Sequence, residues 1–217
     1  DLKLFRYPEG SEALRAIRIL NPISEELSLM RTVLSPSMAN AVMRNQKAGN
    51  LSGRLFELAK VFIPKSLPLT DYPEERAHLA FAFFGKEESF FTLKGALDLA
   101  AESLHVKFRY EASTEPFTHP YQTAAVYVGE VKVGYLGKLA YDIAGELNLR
   151  TDAYLAEVDL DTIESLPHEP VYFTPLPKFP EVQRDLALVM DKAISCEQVV
   201  NLIQGSSPLI REVKLFD

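Results

Sequence analysis

Hydrophobic and polar positions change period along the chain, and the changes mark its elements. Residues 78–84 (HLAFAFF) are almost continuously apolar, the pattern of a strand buried on both faces and central in a sheet. Residues 54–62 alternate: Phe56, Leu58 and Phe62 fall on one face and Leu55, Ala59 and Val61 on the other. With the polar, Pro73-containing stretch between them, the two runs predict a long hairpin with its loop over residues 63–77. Upstream, Asn21-Pro22 closes a short apolar run that reads as a strand. Ser35-Pro36 reads as a helix start, with Ser35 as cap and Pro36 at the first helical position. Met38, Ala39, Val42, Met43 and Gln46 continue at helical spacing, and Gly49 is the expected stop.

The same reading continues downstream. Leu93, Leu97, Ala100 and Leu104 make one helical stripe over residues 92–104. Val106, Phe108, Tyr110 and Ala112 alternate with charged residues, as in a half-buried antiparallel strand. Gly129-Glu130 between two apolar runs is a two-residue hairpin signal. His119-Pro120 reads as a turn. A short helix over 139–147 and a strand over 153–160 follow. Residues 167–180 hold Pro167, Pro170, Pro175, Pro177 and Pro180, too many for regular structure, so they predict a linker. Beyond it, a strand over 185–190, a helix opened by the Ser195/Gln198 capping-box pattern and ended at Gly205, and a strand over 209–216 are expected.

Composition changes this picture little. The chain has 217 residues, 47% hydrophobic and 24% charged, as in a folded globular protein. No apolar run approaches the ~20 residues of a bilayer span, and no signal-peptide pattern opens the chain. A single cysteine, Cys196, excludes an internal disulfide. The net charge of −7 argues against bulk attraction to polyanions. Charge is uneven, however: residues 31–65 carry Arg31, Arg44, Lys47, Arg54, Lys60 and Lys65 against one acid, Glu57. That stretch is either a patch for an acidic partner or RNA phosphate, or a solvated face.

Sites of familiar chemistry are not legible. The four histidines, His78, His105, His119 and His168, have no zinc-ligand spacing. Glu25-Glu26, Glu74-Glu75 and Glu87-Glu88 are adjacent pairs whose side chains splay apart. There is no P-loop and no GxGxxG. Glu57 stands out because it lies on an otherwise apolar strand face, where a carboxylate needs a partner; Arg31 is the internal choice and a subunit contact is the other.

Three segments in order carry a family resemblance: Asn21-Pro22-Ile23-Ser24, Leu29-Met30-Arg31-Thr32 and residues 54–62 (RLFELAKVF). They resemble the beta chain of bacterial phenylalanine–tRNA ligase, in its catalytic-like core. Residues 179–189 (FPEVQRDLALV) and Leu215-Phe216-Asp217 resemble the ferredoxin-like anticodon-binding domain of the same chain, and only one of that domain's two βαβ halves is present. The resemblance implies an α+β fold: a class II aminoacyl-tRNA synthetase-like antiparallel sheet with flanking helices over residues 1–166, a linker over 167–180, and a truncated ferredoxin-like βαβ segment over 181–217. The chain reads as a piece of a longer protein.

The resemblance also implies a function. The whole enzyme charges tRNA with phenylalanine in the cytoplasm, using ATP and magnesium, as an (αβ)2 heterotetramer with a catalytic alpha subunit. Class II cores hold ATP phosphates with one Arg on the hairpin and another on a late helix. The first position falls near Phe56-Glu57, where Arg54 is two residues early. The strand over 153–160 is followed by Asp161-Thr162-Ile163-Glu164, without Gly-rich strand or Arg. The expectation is a scaffold with no catalytic, cofactor-binding or metal residues of its own. Arg31, Arg44, Lys47, Arg54 and Glu57 are the candidate subunit contacts. The other readings are a self-sufficient adenylating domain using Arg54 and a stand-alone RNA-binding module.

Overall fold

The computed structural model describes residues 2–25, 28–168, 170–173, 175–176 and 178–216. Glu26, Pro177 and Asp217, singled out in the sequence, lie outside them. The chain divides into two compact units, Asp1–Tyr172 and Phe173–Asp217.

The first unit is built on one six-stranded antiparallel sheet. Its strands are β1 (Gly53–Ile63), β2 (Glu74–Phe84), β3 (Phe108–Ala112), β4 (Thr118–Val128), β5 (Val131–Leu139) and β6 (Ala153–Asp159). Their spatial order is β1-β2-β6-β5-β4-β3. The apolar run of β2 lies between β1 and β6, which is why it is apolar on both faces. The hairpin of β1 and β2 forms as expected, in register Glu57↔Ala80. Its loop is shorter than the sequence suggests, because Glu74 to Ala77 pair as strand with Lys60 to Ile63. Gly129 turns the β4–β5 hairpin at φ +58°, a conformation open to glycine at no steric cost.

Helices cover both faces. On one face lies α1 (Ser35–Lys47), whose Met38, Ala39 and Val42 are buried with Leu34, Phe5, Val61, Phe117 and Leu155. On the other lie α2 (Phe90–Ser103) and α4 (Leu160–Ser165), whose Leu93, Leu97 and Ile163 join Phe83, Val126, Tyr154 and Val158. The short helix α3 (Tyr141–Glu146) adds Ile143 to the α1-face core. Helix α2 begins two residues before its apolar stripe because Ser89 and Thr92 close a reciprocal capping box.

Several expectations are corrected. The apolar run before Asn21-Pro22 is no strand; it makes only an isolated bridge, Arg18↔Leu29, fastened by Ile19 N to Ser28 O and Met30 N to Ile17 O, each 2.8 Å. His119-Pro120 is not a turn but lies within β4, at a register irregularity between Thr118 and Thr123 where a missing N–H is tolerated. In the second unit the capped helix is present as α5 (Cys196–Gly205), with Ser195 and Gln198 bonded reciprocally. The strands expected on either side, over 185–190 and 209–216, do not form. Their apolar residues Leu186, Leu188, Leu209 and Leu215 stay exposed, because a strand with no ladder partner gains no hydrogen bonds and covers no core.

His168 marks the exit from the first unit. Its Nδ1 lies 2.8 Å from the Leu104 carbonyl at the end of α2, and its Nε2 lies 3.3 Å from the Glu164 carbonyl in α4. Two carbonyl acceptors are both satisfied only by imidazolium, so these bonds hold its pKa above the usual histidine value. Because the folded value is raised, this contribution is present at acid pH and fades as pH rises through it. An NMR titration of the His168 ring should place its midpoint above that of free histidine; a midpoint at or below it would contradict the bridge.

Candidate functional site

The polar centre of the first unit is Glu157, in the middle of β6 and only 3% exposed. The sequence reading passed over it, since one Glu in the run AYLAEVD resembles an outward strand position. Its strand is central, so both faces are covered and the carboxylate points into the core beneath α1. Five donors converge on it. Leu34 N and Ser35 N each donate at 2.9 Å, Ser35 Oγ donates at 2.6 Å, and Tyr135 OH lies at 3.4 Å. His78 Nδ1 is 2.7 Å away. Tyr135 OH also bonds Ser35 Oγ. Burial raises the carboxyl pKa, but the bonds from His78, Ser35 and Leu34 outweigh it and hold the group below its ordinary value. Glu157 is therefore ionised and only accepts, which places the proton of the contact on His78 Nδ1. Burial and the adjacent carboxylate push the Tyr135 hydroxyl far above the usual tyrosine range.

This arrangement revises the start of α1. Ser35 is not its cap; the N-cap is Leu34, which has no side-chain acceptor to offer. The cap comes from the carboxylate 122 residues downstream, which fills the position where a helix N-terminus attracts an anion. The only hint available in sequence was one acid inside a buried apolar strand.

Of the five residues expected at a subunit contact, Arg31 pairs with Glu57, Arg44 and Lys47 share the last turn of α1, and Arg54 lies apart from both. Arg31 Nη1 pairs with Glu57 Oε1 at 2.5 Å on the α1 face, and Arg31 Nε also donates to the Lys60 carbonyl. Glu57 is thus half-buried and internally paired. Arg54 lies on the opposite face, 2.8 Å from Glu88 Oε1 and with its guanidinium 5.0 Å from the Phe83 ring centroid. Arg44 and Lys47 are exposed near the C-terminus of α1. Lys60 and Lys65 pair with Glu75 and Asp71. Four of the six basic residues of the 31–65 stretch are thereby neutralised, and the stretch is no continuous basic surface.

Two surfaces remain open. Along β1, Phe56 (74% exposed) and Leu58 (61%) stand on the α2 face, beside Phe81 and Leu79 of β2, beyond the reach of the helices. At the other end of the same face, a cavity of about 480 Å³ opens between the start of α2 and strands β4 and β6. Among the described residues, no group of three His, Cys, Asp or Glu is placed to hold a metal, and no helix is long and apolar enough to cross a membrane.

The geometry defines an α+β domain of six antiparallel strands whose polar centre is a structural carboxylate bonded from within. Comparison with known proteins narrows this. The profile of the phenylalanyl tRNA synthetase beta chain CLM domain matches residues 1–160. The phenylalanine–tRNA ligase beta subunit of Clostridium tetani is 35% identical over 213 residues, covering 97% of this chain and 27% of the relative. Those of Halalkalibacterium halodurans and Moorella thermoacetica are 34% and 33% identical, covering 93% and 100% of this chain and 26% and 28% of theirs. The chain belongs to the phenylalanine–tRNA ligase beta-chain family, and it spans about a quarter of the length of these curated relatives.

Proposed function

We propose that this segment is the non-catalytic, class II-like platform of a phenylalanine–tRNA ligase, on which the catalytic alpha subunit docks. The observation that carries this reading is the filling of the α1 face of the sheet. Phe5, Leu34, Val42, Phe117 and Leu155 pack it solid, and its charged centre is the carboxylate Glu157. Adenylate chemistry needs an open floor lined with cations, because charge develops on phosphorus. Arg54, the nearest basic residue to the expected phosphate position, faces the other way and is bound to Glu88. ATP, magnesium and the (αβ)2 assembly belong in this reading to the whole enzyme in the cytoplasm, and the second unit to an anticodon-binding domain of ferredoxin-like form that meets tRNA.

For the docking face, the exposed Phe56 and Leu58 suit a partner better than α1 does. Helix α1 spends its apolar stripe inward, leaving Arg44 and Lys47 as its outward contribution. An uncovered apolar strip at a sheet edge favours burial against a partner. Light scattering coupled to size exclusion should show the chain co-eluting with the alpha chain of the same source. Phe56→Glu with Leu58→Glu should abolish the complex, and Arg44→Glu with Lys47→Glu should weaken it. Titration calorimetry with ATP should give no heat from the chain alone. ATP binding lost in Arg54→Ala, with no co-elution, would overturn the platform reading in favour of an adenylating domain.

A further inference from the structure

The open edge of β1 carries more than an apolar strip. β1 ends the sheet, with β2 along one side only. In an antiparallel strand the N–H and C=O of one residue point to the same edge, and successive residues point to opposite edges. Two contacts fix which residues of β1 point outward. Phe62 N donates to the Arg31 carbonyl at 2.9 Å, and the Lys60 carbonyl accepts from Arg31 Nε at 3.2 Å. The even-numbered residues therefore face away from β2. Arg31 covers the edge at Lys60 and Phe62, and Arg54, Phe56 and Leu58 are left over. Among the described residues, nothing bonds their outward N–H and C=O groups. These groups stand in a row, repeating every second residue.

Two of the same three residues carry the uncovered side chains, Phe56 and Leu58. The two features cannot be separated. A partner that buries these side chains also takes the backbone groups beside them out of water. A backbone group so desolvated needs a hydrogen bond, and apolar side chains supply none. An extended segment meets both needs. Its alternate residues offer N–H and C=O at the spacing of the row, and its residues opposite Phe56 and Leu58 put their side chains on the same face. Sheet edges that stay single are blunted by proline, by free charge or by shortness. β1 is 11 residues long, and residues 54–58 hold no proline. Their two charges are neutralised, Arg54 by Glu88 and Glu57 by Arg31. The edge is thus left fit for pairing.

We infer that the alpha chain docks on this edge by strand addition: an extended segment of it pairs with residues 54–58 of β1 and sets apolar side chains opposite Phe56 and Leu58. The identity of the partner rests on the platform reading, whereas the mode of docking rests on the edge itself. Backbone hydrogen bonds from Arg54, Phe56 and Leu58 hold the added strand, and the two apolar side chains select it. Arg31, fastened to Glu57 and to the Lys60 carbonyl, closes the row at one end and limits how far the added strand runs.

The test is amide hydrogen exchange of the chain, alone and in complex with the alpha chain of the same source, read residue by residue by NMR. Alone, the amides of Arg54, Phe56 and Leu58 should exchange fast, while those of Leu55 and Glu57, which face β2, are protected. In the complex the three fast amides should become protected together. A pair of variants separates backbone pairing from side-chain packing. Leu58→Pro and Leu58→Ala both shorten the side chain, but only proline removes the outward N–H, at an edge position where it is tolerated. Leu58→Pro should bind the alpha chain about tenfold more weakly than Leu58→Ala, the effect of one lost hydrogen bond. Should Leu58→Pro fail to fold, the exchange pattern of the unaltered chain still decides. A complex in which the three amides stay fast, or in which Leu58→Pro binds as well as Leu58→Ala, would overturn strand addition and leave the platform reading standing. No complex at all would overturn both. A dimer of the chain alone with the same three amides protected would give the edge to a second copy and overturn the assignment to the alpha chain.

Discussion

Glu157→Ala is expected to destabilise the first unit by about 3–5 kcal/mol, the range for removing one partner from a buried charged network. The loss has identifiable parts. Leu34 N and Ser35 N would become buried donors with no acceptor at the start of α1, and His78 would lose the group its Nδ1 faces. Each orphaned donor costs the desolvation that the carboxylate now offsets. Urea unfolding followed by circular dichroism measures the change. Glu157→Gln should fall between wild type and alanine, because one amide oxygen can still accept from the helix N-terminus while the amide N–H₂ meets donors. A cost below about 1 kcal/mol for Glu157→Ala would mean that the network contributes no more than an exposed pair.

The same group sets an acid limit. Its folded pKa lies below its unfolded one, so its contribution is complete above the ordinary glutamate range. It is lost as pH falls through the depressed folded value. Stability measured from pH 7 downward should therefore drop in wild type below about pH 4.5, the region where an unfolded glutamate starts to bind protons. Glu157→Gln should flatten that part of the curve. A parallel fall in both proteins would place the acid sensitivity elsewhere.

The second large effect is expected at Gly134 in β5. Gly134 pairs with Val158, and a Cβ added to it would press on the Glu157 carbonyl oxygen and come within 2.9 Å of the Val158 Cα. Those are backbone atoms of the neighbouring strand and cannot swing aside as a side chain can. Gly134→Ala should force β5 and β6 apart, at the upper end of the ~1–3 kcal/mol typical of overpacking or above it. Because β6 carries Glu157, the network on α1 should loosen with it. Hydrogen exchange would then rise together at the β5–β6 amides and at Leu34 and Ser35. Gly145, which has open space around its Cβ position, is the control: Gly145→Ala should leave unfolding and exchange nearly unchanged.

Local pattern was sufficient for much of this molecule. The alternation of β1, the continuous apolar run of β2, the stripe of α2, the Gly129-Glu130 hairpin and the Ser195–Gln198 cap all rest on interactions within a few residues. The Arg31–Glu57 pair was also legible, since an acid on an apolar strand face needs a cation and one basic residue lay in reach. What local pattern could not supply was any property that depends on distant neighbours. Residues 185–190 and 209–216 have strand composition and no strand, because a ladder needs a second strand at hand. Strand order placed β6 between β2 and β5, and this alone turned Glu157 from an ordinary strand residue into the cap of a helix 122 residues earlier. Acids brought alongside by the fold likewise dispersed a basic stretch into separate surface pairs. The sequence by itself determined most elements of the first unit and the family, because both are written in short segments. Which carboxylate is buried, which face stays uncovered and which rings line an open cavity were decided only by tertiary structure, because burial is set by what the rest of the chain brings alongside.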